Sequence, residues 1–168
     1  MFFYQTDDVC LIAWSRCGNT SMYEYFNIPL YSIQGNQLQK FIDSKAETKI
    51  VVVRNPYDRL LSAINNTRIL NQTTAWTRRH SRPYLQKLVL LDLDYKIIDF
   101  YRLGEYIPIG KSTVITNSSH VYACSDDMKN YQTPEAMKKE YDAYQKIMST
   151  KHQISPQEWN NIFTKKHN

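Results

Sequence analysis

The chain has 168 residues and is 42% hydrophobic and 22% charged, which gives room for one domain with its own core. We therefore expect a single domain over residues 1–168. The formal net charge of +5 favours an anionic partner. The sign of the charge alone does not choose between a nucleotide, nucleic acid, an acidic glycan and a membrane surface.

Cysteine usage and hydropathy exclude several further classes. The three cysteines, Cys10, Cys17 and Cys124, are an odd number without metal-ligand spacing, so neither a disulfide framework nor a zinc site is indicated. No stretch approaches the apolar length of a membrane span, and the first residues lack the basic region of a signal peptide. We expect a cytoplasmic protein without membrane contact, unless the sequence is an excised domain.

The first elements are predicted in the order strand, loop, helix, strand. Val9–Ala13 is an apolar run of strand length, residues 15–21 form a small-residue turn, and residues 22–26 continue as a helix. A second strand is predicted over residues 50–53, because β-branched side chains without polar alternation suit a strand covered on both faces.

The next element is a helix with a strong start signal. Asn55 can cap it, Pro56 fits its first position, and Asp58 stands where a capping-box acid would. Its buried stripe is predicted to contain Leu60, Leu61 and Ile64. Residues 65–83 are polar, basic and aperiodic, which suggests an exposed loop or a short helix near a ligand.

The second half is predicted to be mainly helical. Between residues 84 and 106 the side chains expected in helices are Leu85, Leu88, Val89, Ile97, Ile98 and Phe100. Residues 112–116 are a candidate strand. Two packing helices follow, one opening at residues 133–134 with Met137, Tyr141, Tyr144 and Met148 at helical spacing, the other at a capping box over residues 155–158. This order is that of a three-layer α/β domain with a partly parallel sheet.

Two stretches have the chemistry of anion sites. After the first strand, Arg16, Gly18, Asn19, Thr20 and Ser21 offer a guanidinium, backbone N–H groups and hydroxyls, which suit phosphate or sulfate. A plain capped turn with a surface arginine explains this stretch equally well.

The second stretch begins where the second strand ends. Arg54 follows the strand directly, and Ser62 lies about two turns along the next helix, so both could converge on one anion. Two anion sites at adjacent strand ends fit a ligand with two separated phosphates. The alternative is a structural ion pair of Arg54 with Asp58, with Ser62 as a small packing residue.

Together the two stretches resemble the sulfotransferase family, whose members use 3′-phosphoadenosine 5′-phosphosulfate (PAPS). Residues 54–63, RNPYDRLLSA, match the family's 3′-phosphate motif R-[ND]-P-x-x-R-x-x-S-x almost position for position. Residues 15–21, SRCGNTS, loosely match its 5′-phosphosulfate loop P-[KR]-x-G-[TS]-[TS]. Ser15 replaces the usual proline, and Arg16 is similar to the arginine of tyrosylprotein sulfotransferases. The resemblance covers roughly residues 9–66.

The resemblance implies a three-layer P-loop-NTPase-like sulfotransferase fold with a mostly parallel central sheet. It implies that residues 16–21, including Cys17, hold the phosphosulfate, and that Arg54 and Ser62 hold the 3′-phosphate. The reaction would move a sulfuryl group from PAPS to a hydroxyl or amine acceptor, for example on a glycan or a peptide, and would leave adenosine 3′,5′-bisphosphate (PAP). It needs no metal. Lys111 is a further candidate ligand of the 3′-phosphate.

The catalytic roles are less completely determined. Arg16 is expected to stabilise charge on the bridging oxygen, whereas the base that deprotonates the acceptor does not follow from spacing. Its candidates are Glu47, His80 and His120; the other carboxylates between the two motifs are Glu24 and Asp43.

Other readings of the basic residues remain open. The cluster of Arg68, Arg78, Arg79 and Arg82 could attract an anionic acceptor or form a solvated charged loop. The rival functions are a non-catalytic nucleotide- or nucleic-acid-binding module and a P-loop nucleotide kinase. Residues 110–113 imitate the end of a Walker A motif, but Glu105 stands where that motif needs glycine. We expect no nucleic-acid partner, because the tyrosines do not interleave regularly with basic residues.

Overall fold

The computed structural model describes residues 1–29, 36–91, 93–110 and 126–164. These residues form four strands, eight α-helices and one 3₁₀ helix (Phe100–Glu105). The strands are β1 (Phe2–Gln5), β2 (Val9–Ala13), β3 (Thr48–Val53) and β4 (Lys96–Asp99). The α-helices are α1 (Asn19–Tyr25), α2 (Gln37–Asp43), α3 (Pro56–Leu70), α4 (Thr74–His80), α5 (Leu85–Leu90), α6 (Asp126–Lys129), α7 (Pro134–Thr150) and α8 (Pro156–Thr164).

The chain divides into two compact units. The first, which we call the sheet unit, takes its described residues from 1–53, 93–110 and 151–164. The second, the helical unit, takes them from 54–91 and 126–150. None of the described helices combines the length and apolar character needed to cross a membrane.

The sheet unit is built on a mixed sheet with the strand order β1-β2-β3-β4. β1 pairs antiparallel with β2, while β2 with β3 and β3 with β4 are parallel. All five residues of β2 and the last four of β3 are buried, as the continuous apolar runs predict for strands covered on both faces. The α/β class is thereby confirmed.

Two strands differ from the sequence-based expectation. Ile97 and Ile98 were expected in a helix, but they lie in β4, where they pair with Val51 and Val52 of β3. A short run of β-branched residues has no decisive period of its own, so pairing with a neighbouring strand decides its conformation. β1 was not predicted. The candidate strand over residues 112–116 lies outside the described residues.

The last helix packs in the sheet unit, and its start confirms the predicted capping box. Ser155 Oγ accepts a hydrogen bond from the Glu158 backbone N–H (3.1 Å), and a Glu158 carboxylate oxygen accepts one from the Ser155 N–H (3.2 Å). Trp159 is fully buried, with the Phe163 ring at 4.2 Å and the Tyr106 ring at 5.9 Å between centroids. An aromatic cluster therefore fixes α8.

The helical unit confirms the predicted start of α3. The Asn55 side chain accepts a hydrogen bond from the Tyr57 N–H (3.0 Å), and Pro56 occupies the first turn. The helix runs to Leu70, so it includes the first part of the predicted loop, and α4 is the short helix that was the alternative there. The core of this unit is formed by Tyr57, Leu60, Ile64, Met128 and Met137.

The buried face of α7 differs from the predicted stripe. Besides Met137, its buried residues are Glu140, Ala143 and Ile147, whereas Tyr141, Tyr144 and Met148 are half-buried. The face is rotated so that a carboxylate lies at its centre. Glu140 is 1% exposed.

The Glu140 carboxylate caps another helix. It accepts hydrogen bonds from the Tyr84 N–H (2.5 Å) and the Gln86 N–H (3.0 Å), at the start of α5, where Tyr84 itself makes no side-chain cap. Burial raises the pKa of this carboxyl, and the backbone hydrogen bonds from Tyr84, Gln86 and Leu85 and the charge of Arg59 only partly oppose the rise.

The raised pKa of Glu140 predicts a pH dependence of stability. Above about pH 4.5 the unfolded chain loses this proton while the folded chain retains it, so folding becomes less favourable as pH rises through the folded-state pKa. The free energy of unfolding of the wild type, minus that of Glu140→Gln, should therefore fall as pH rises above 4.5 and then level off. Urea unfolding at a series of pH values measures it. Glu135→Gln, at an exposed position on α7, is the matched variant that removes a carboxyl without removing the cap of α5.

Candidate functional site

The first candidate anion loop follows β2. Because β2 and β3 are parallel, with Ala13 opposite Val52, both strands end at the same edge of the sheet. The chain passes from β2 through residues 14–18 into α1, in the predicted order of strand, loop and helix. In open α/β sheets this carboxyl edge is where ligands bind.

The loop opens with a tight turn that puts Arg16 in an unusual conformation. The Cys17 N–H donates to the Trp14 carbonyl (3.1 Å), which closes a four-residue turn. Arg16 is the third residue of this turn and has φ 66°, in the left-handed region that favours glycine. An L-residue there costs about 1–2 kcal/mol, and strained residues of this kind cluster at functional sites. The same hydrogen bond places the Cys17 N–H inside the turn, and the Cys17 side chain is fully buried.

Gly18 meets a packing requirement of the 3₁₀ helix. A Cβ atom at Gly18 would lie 2.5 Å from Leu103 Cδ2 and 3.6 Å from a Phe100 ring carbon. Its φ of 85° is also left-handed. The glycine is needed because the 3₁₀ helix packs against it.

The 3₁₀ helix is itself held by a residue that sequence analysis missed. Asp99, the last residue of β4, accepts a hydrogen bond from the Tyr101 N–H (3.0 Å) and caps this helix. Burial raises the pKa of the Asp99 carboxyl. The signal for Asp99 was hidden because the strand before it was predicted as helix.

The remaining loop residues lie at the start of α1. Asn19 and Thr20 are half-buried, whereas Ser21 is buried and its Oγ accepts a hydrogen bond from the Gly110 N–H (3.0 Å). Ser21 therefore fixes the residue that directly precedes Lys111. Lys111 lies outside the described residues, as does His120.

The second candidate anion site lies at the start of α3. Arg54 is 2% exposed and Ser62 is half-buried. The other arginine of the motif, Arg59, has a structural role that the sequence did not reveal. It is buried, donates from Nη1 to the Arg82 carbonyl (2.6 Å), and lies over the Tyr84 ring at 5.0 Å from its centroid.

The candidate bases occupy different places. Glu47 immediately precedes β3. It therefore lies at the opposite edge of the sheet from the loop of residues 14–18, which we call the Arg16 loop. The length of the strands separates these two edges by roughly 17 Å. Asp43 ends α2, which leads to that same opposite edge. His80 belongs to the helical unit and stacks on Trp76 at 4.1 Å between ring centroids.

Glu24 differs from these carboxylates because it lies on α1, one turn beyond Thr20. The two side chains line a cavity of about 310 Å³ together with Tyr23 and Asn27. The Glu24 carboxylate also approaches the backbone at Gly110, where a Cβ would lie 2.8 Å from its Oε2. Glu24 therefore lies on α1, the helix that directly follows the Arg16 loop.

The predicted arginine cluster separates into two parts. Arg68 forms an ion pair with Asp127. Arg78, Arg79 and Arg82 instead line a cleft of about 450 Å³ in the helical unit. The cleft is also lined by Tyr131 and Gln132, which are too distant in sequence to have been grouped with the arginines.

Gly18→Ala should destabilise the protein by about 1 kcal/mol or more, because it adds a strained φ and a contact with Leu103. Thermal unfolding measures the change. Gly104→Ala is the control: a Cβ there meets only Ile109, at an ordinary 3.5 Å. Equal melting temperatures for the two variants would contradict the assigned role of Gly18.

Comparison of the chain with family models, with curated proteins and with solved structures finds no match.

Proposed function

We propose that the protein is a PAPS-dependent sulfotransferase with a P-loop-like fold. The observation that carries the proposal is the left-handed conformation of Arg16, because strained non-glycine residues of this kind cluster at ligand sites. This arginine stands in a loop that resembles the family's phosphosulfate loop, at the carboxyl end of a buried parallel strand.

The two motifs would bind different parts of the donor. The Arg16 guanidinium and the residues Gly18, Asn19, Thr20 and Ser21 take the 5′-phosphosulfate, in keeping with the fork of donors that a guanidinium presents to an oxyanion. Arg54 and Ser62 take the 3′-phosphate. A buried arginine such as Arg54 suits this role, since low local polarity strengthens its attraction for an anion.

In the reaction, the acceptor oxygen attacks sulfur as the bond from sulfur to the bridging phosphate oxygen breaks. Arg16 stabilises the negative charge that develops on the departing PAP. It does not serve as a proton donor, because its pKa is too high. The acceptor hydroxyl must lose its proton to a base within hydrogen-bond reach.

Glu24 is the base that we favour among the described residues. It lies on the helix that directly follows the Arg16 loop and lines a cavity with Thr20, whereas Glu47 and Asp43 lie towards the opposite edge of the sheet. In this scheme the Glu24 carboxylate takes the proton of the acceptor hydroxyl. The acceptor oxygen becomes part of the sulfate ester, and PAP leaves.

Arg54→Ala should weaken binding of PAP by about tenfold or more while leaving 5′-AMP binding nearly unchanged, because only PAP carries the 3′-phosphate. Isothermal titration with both nucleotides measures this. Since Arg54 is buried, Ser62→Ala serves as a second variant at a half-buried position, and thermal unfolding checks the fold of both. An equal loss for the two nucleotides would rule out the 3′-phosphate assignment.

Glu24→Gln should lower the rate of sulfuryl transfer by about 100-fold or more without changing PAP affinity, because it removes the base and keeps the shape. Transfer from labelled PAPS to a panel of glycan, peptide-tyrosine and phenol acceptors provides the rate. Glu47→Gln, which makes the same chemical change at the opposite edge of the sheet, should retain full activity. A larger loss in Glu47→Gln than in Glu24→Gln would exclude Glu24 as the base.

The same acceptor panel separates the catalytic proposal from its rival. Tight PAP binding with transfer to no acceptor would identify a non-catalytic nucleotide-binding module.

A further inference from the structure

The arginine cleft of the helical unit is a second place with the character of a binding site. Its volume is about 450 Å³, within the usual range for small-ligand pockets. Three of its side chains are arginines, Arg78, Arg79 and Arg82, and among the described side chains no carboxylate lines it.

The charges of this cleft are not neutralised within the described part of the helical unit. Arg79 and Arg82 make no ion pair and no side-chain hydrogen bond with any described residue. Arg68, the nearby arginine outside the cleft, is paired with Asp127. Two guanidinium groups in one concave surface therefore have no anionic partner among the described residues.

Hydrogen bonds between the arginine segment and residues 130–132 hold the lining of the cleft in place. Arg78 donates from Nη2 to the Asn130 carbonyl (3.1 Å), and Gln132 donates from Nε2 to the Arg78 carbonyl (3.4 Å) and to Ser81 Oγ (3.2 Å). These bonds tie α4 to the turn after α6. A site already formed before binding loses less entropy when its ligand arrives.

The position of Arg82 is fixed separately. Its carbonyl accepts the hydrogen bond from buried Arg59 (2.6 Å), while its side chain stays exposed. The backbone is therefore anchored without using the guanidinium.

We propose that this cleft binds a small organic ligand through a tetrahedral oxyanion, either a phosphate monoester or a sulfate ester. The guanidinium groups of Arg79 and Arg82 hold the oxyanion with their forked donors, which match its geometry. The uncharged part of the ligand packs on Tyr131 and Pro83, which are among the less polar residues that line the cleft. The inference does not rest on the proposed sulfotransferase activity, because no residue of the two donor motifs lines the cleft.

Binding of glucose 6-phosphate, glucose 6-sulfate and glucose to the full chain tests the proposal by isothermal titration in the absence of PAPS. We expect one or both esters to bind and glucose not to bind. Arg79→Ala and Arg82→Ala should each weaken ester binding by about tenfold or more, and high salt should weaken it further. Arg68→Ala removes the same charge outside the cleft and should leave the affinity unchanged.

The relative affinities of the two esters show which kind of oxyanion the cleft accepts. Equal binding of glucose and the esters, or equal weakening by Arg68→Ala and Arg82→Ala, would overturn the proposal. So would binding of an acidic peptide or an oligonucleotide with no binding of either ester. PAP titration of Arg82→Ala is the separating measurement: unchanged PAP affinity with lost ester binding would show that the cleft and the donor motifs act independently.

Discussion

The helical unit depends on the buried carboxylate of Glu140. Tyr84 gives α5 no side-chain cap, and Glu140 supplies one by accepting hydrogen bonds from the Tyr84 and Gln86 N–H groups. Arg59 lies over the Tyr84 ring and opposes the rise in the pKa of Glu140, while its Nη1 holds the Arg82 carbonyl. Removing one member of such a buried network leaves the others unsatisfied, so α3, α5 and α7 are stabilised together.

The network also explains how one motif can have a structural part beside the part that we propose to bind a ligand. In residues 54–63, Asn55 and Pro56 start the helix and Arg59 anchors the Arg82 backbone. Arg54 and Ser62 are the members proposed to bind the 3′-phosphate. The same anchor positions the arginine cleft, since it fixes the chain at Arg82 without using that residue's guanidinium.

The sheet unit follows another constraint, the parallel pairing of β2 with β3. This pairing puts the carboxyl ends of both strands at one edge, where the Arg16 loop begins. The loop is then shaped from outside, because Leu103 and Phe100 of the 3₁₀ helix occupy the space beside Gly18. Its conformation therefore depends on β4, whose last residue, Asp99, caps that 3₁₀ helix.

The sequence by itself determined the features that local interactions control. It placed β2 with its observed bounds, the Asn55 cap of α3 and the capping box of α8, since each depends on residues within a few positions of one another. Only the tertiary structure decided that Ile97 and Ile98 form a strand, that Glu140 is buried, and that Glu47 lies at the opposite edge of the sheet. Strand pairing and burial join residues that are distant along the chain, so no local pattern records them. The four arginines are close together in the sequence, which therefore predicts a single cluster. Tertiary packing instead pairs Arg68 with Asp127 and places the other three arginines in the lining of the cleft.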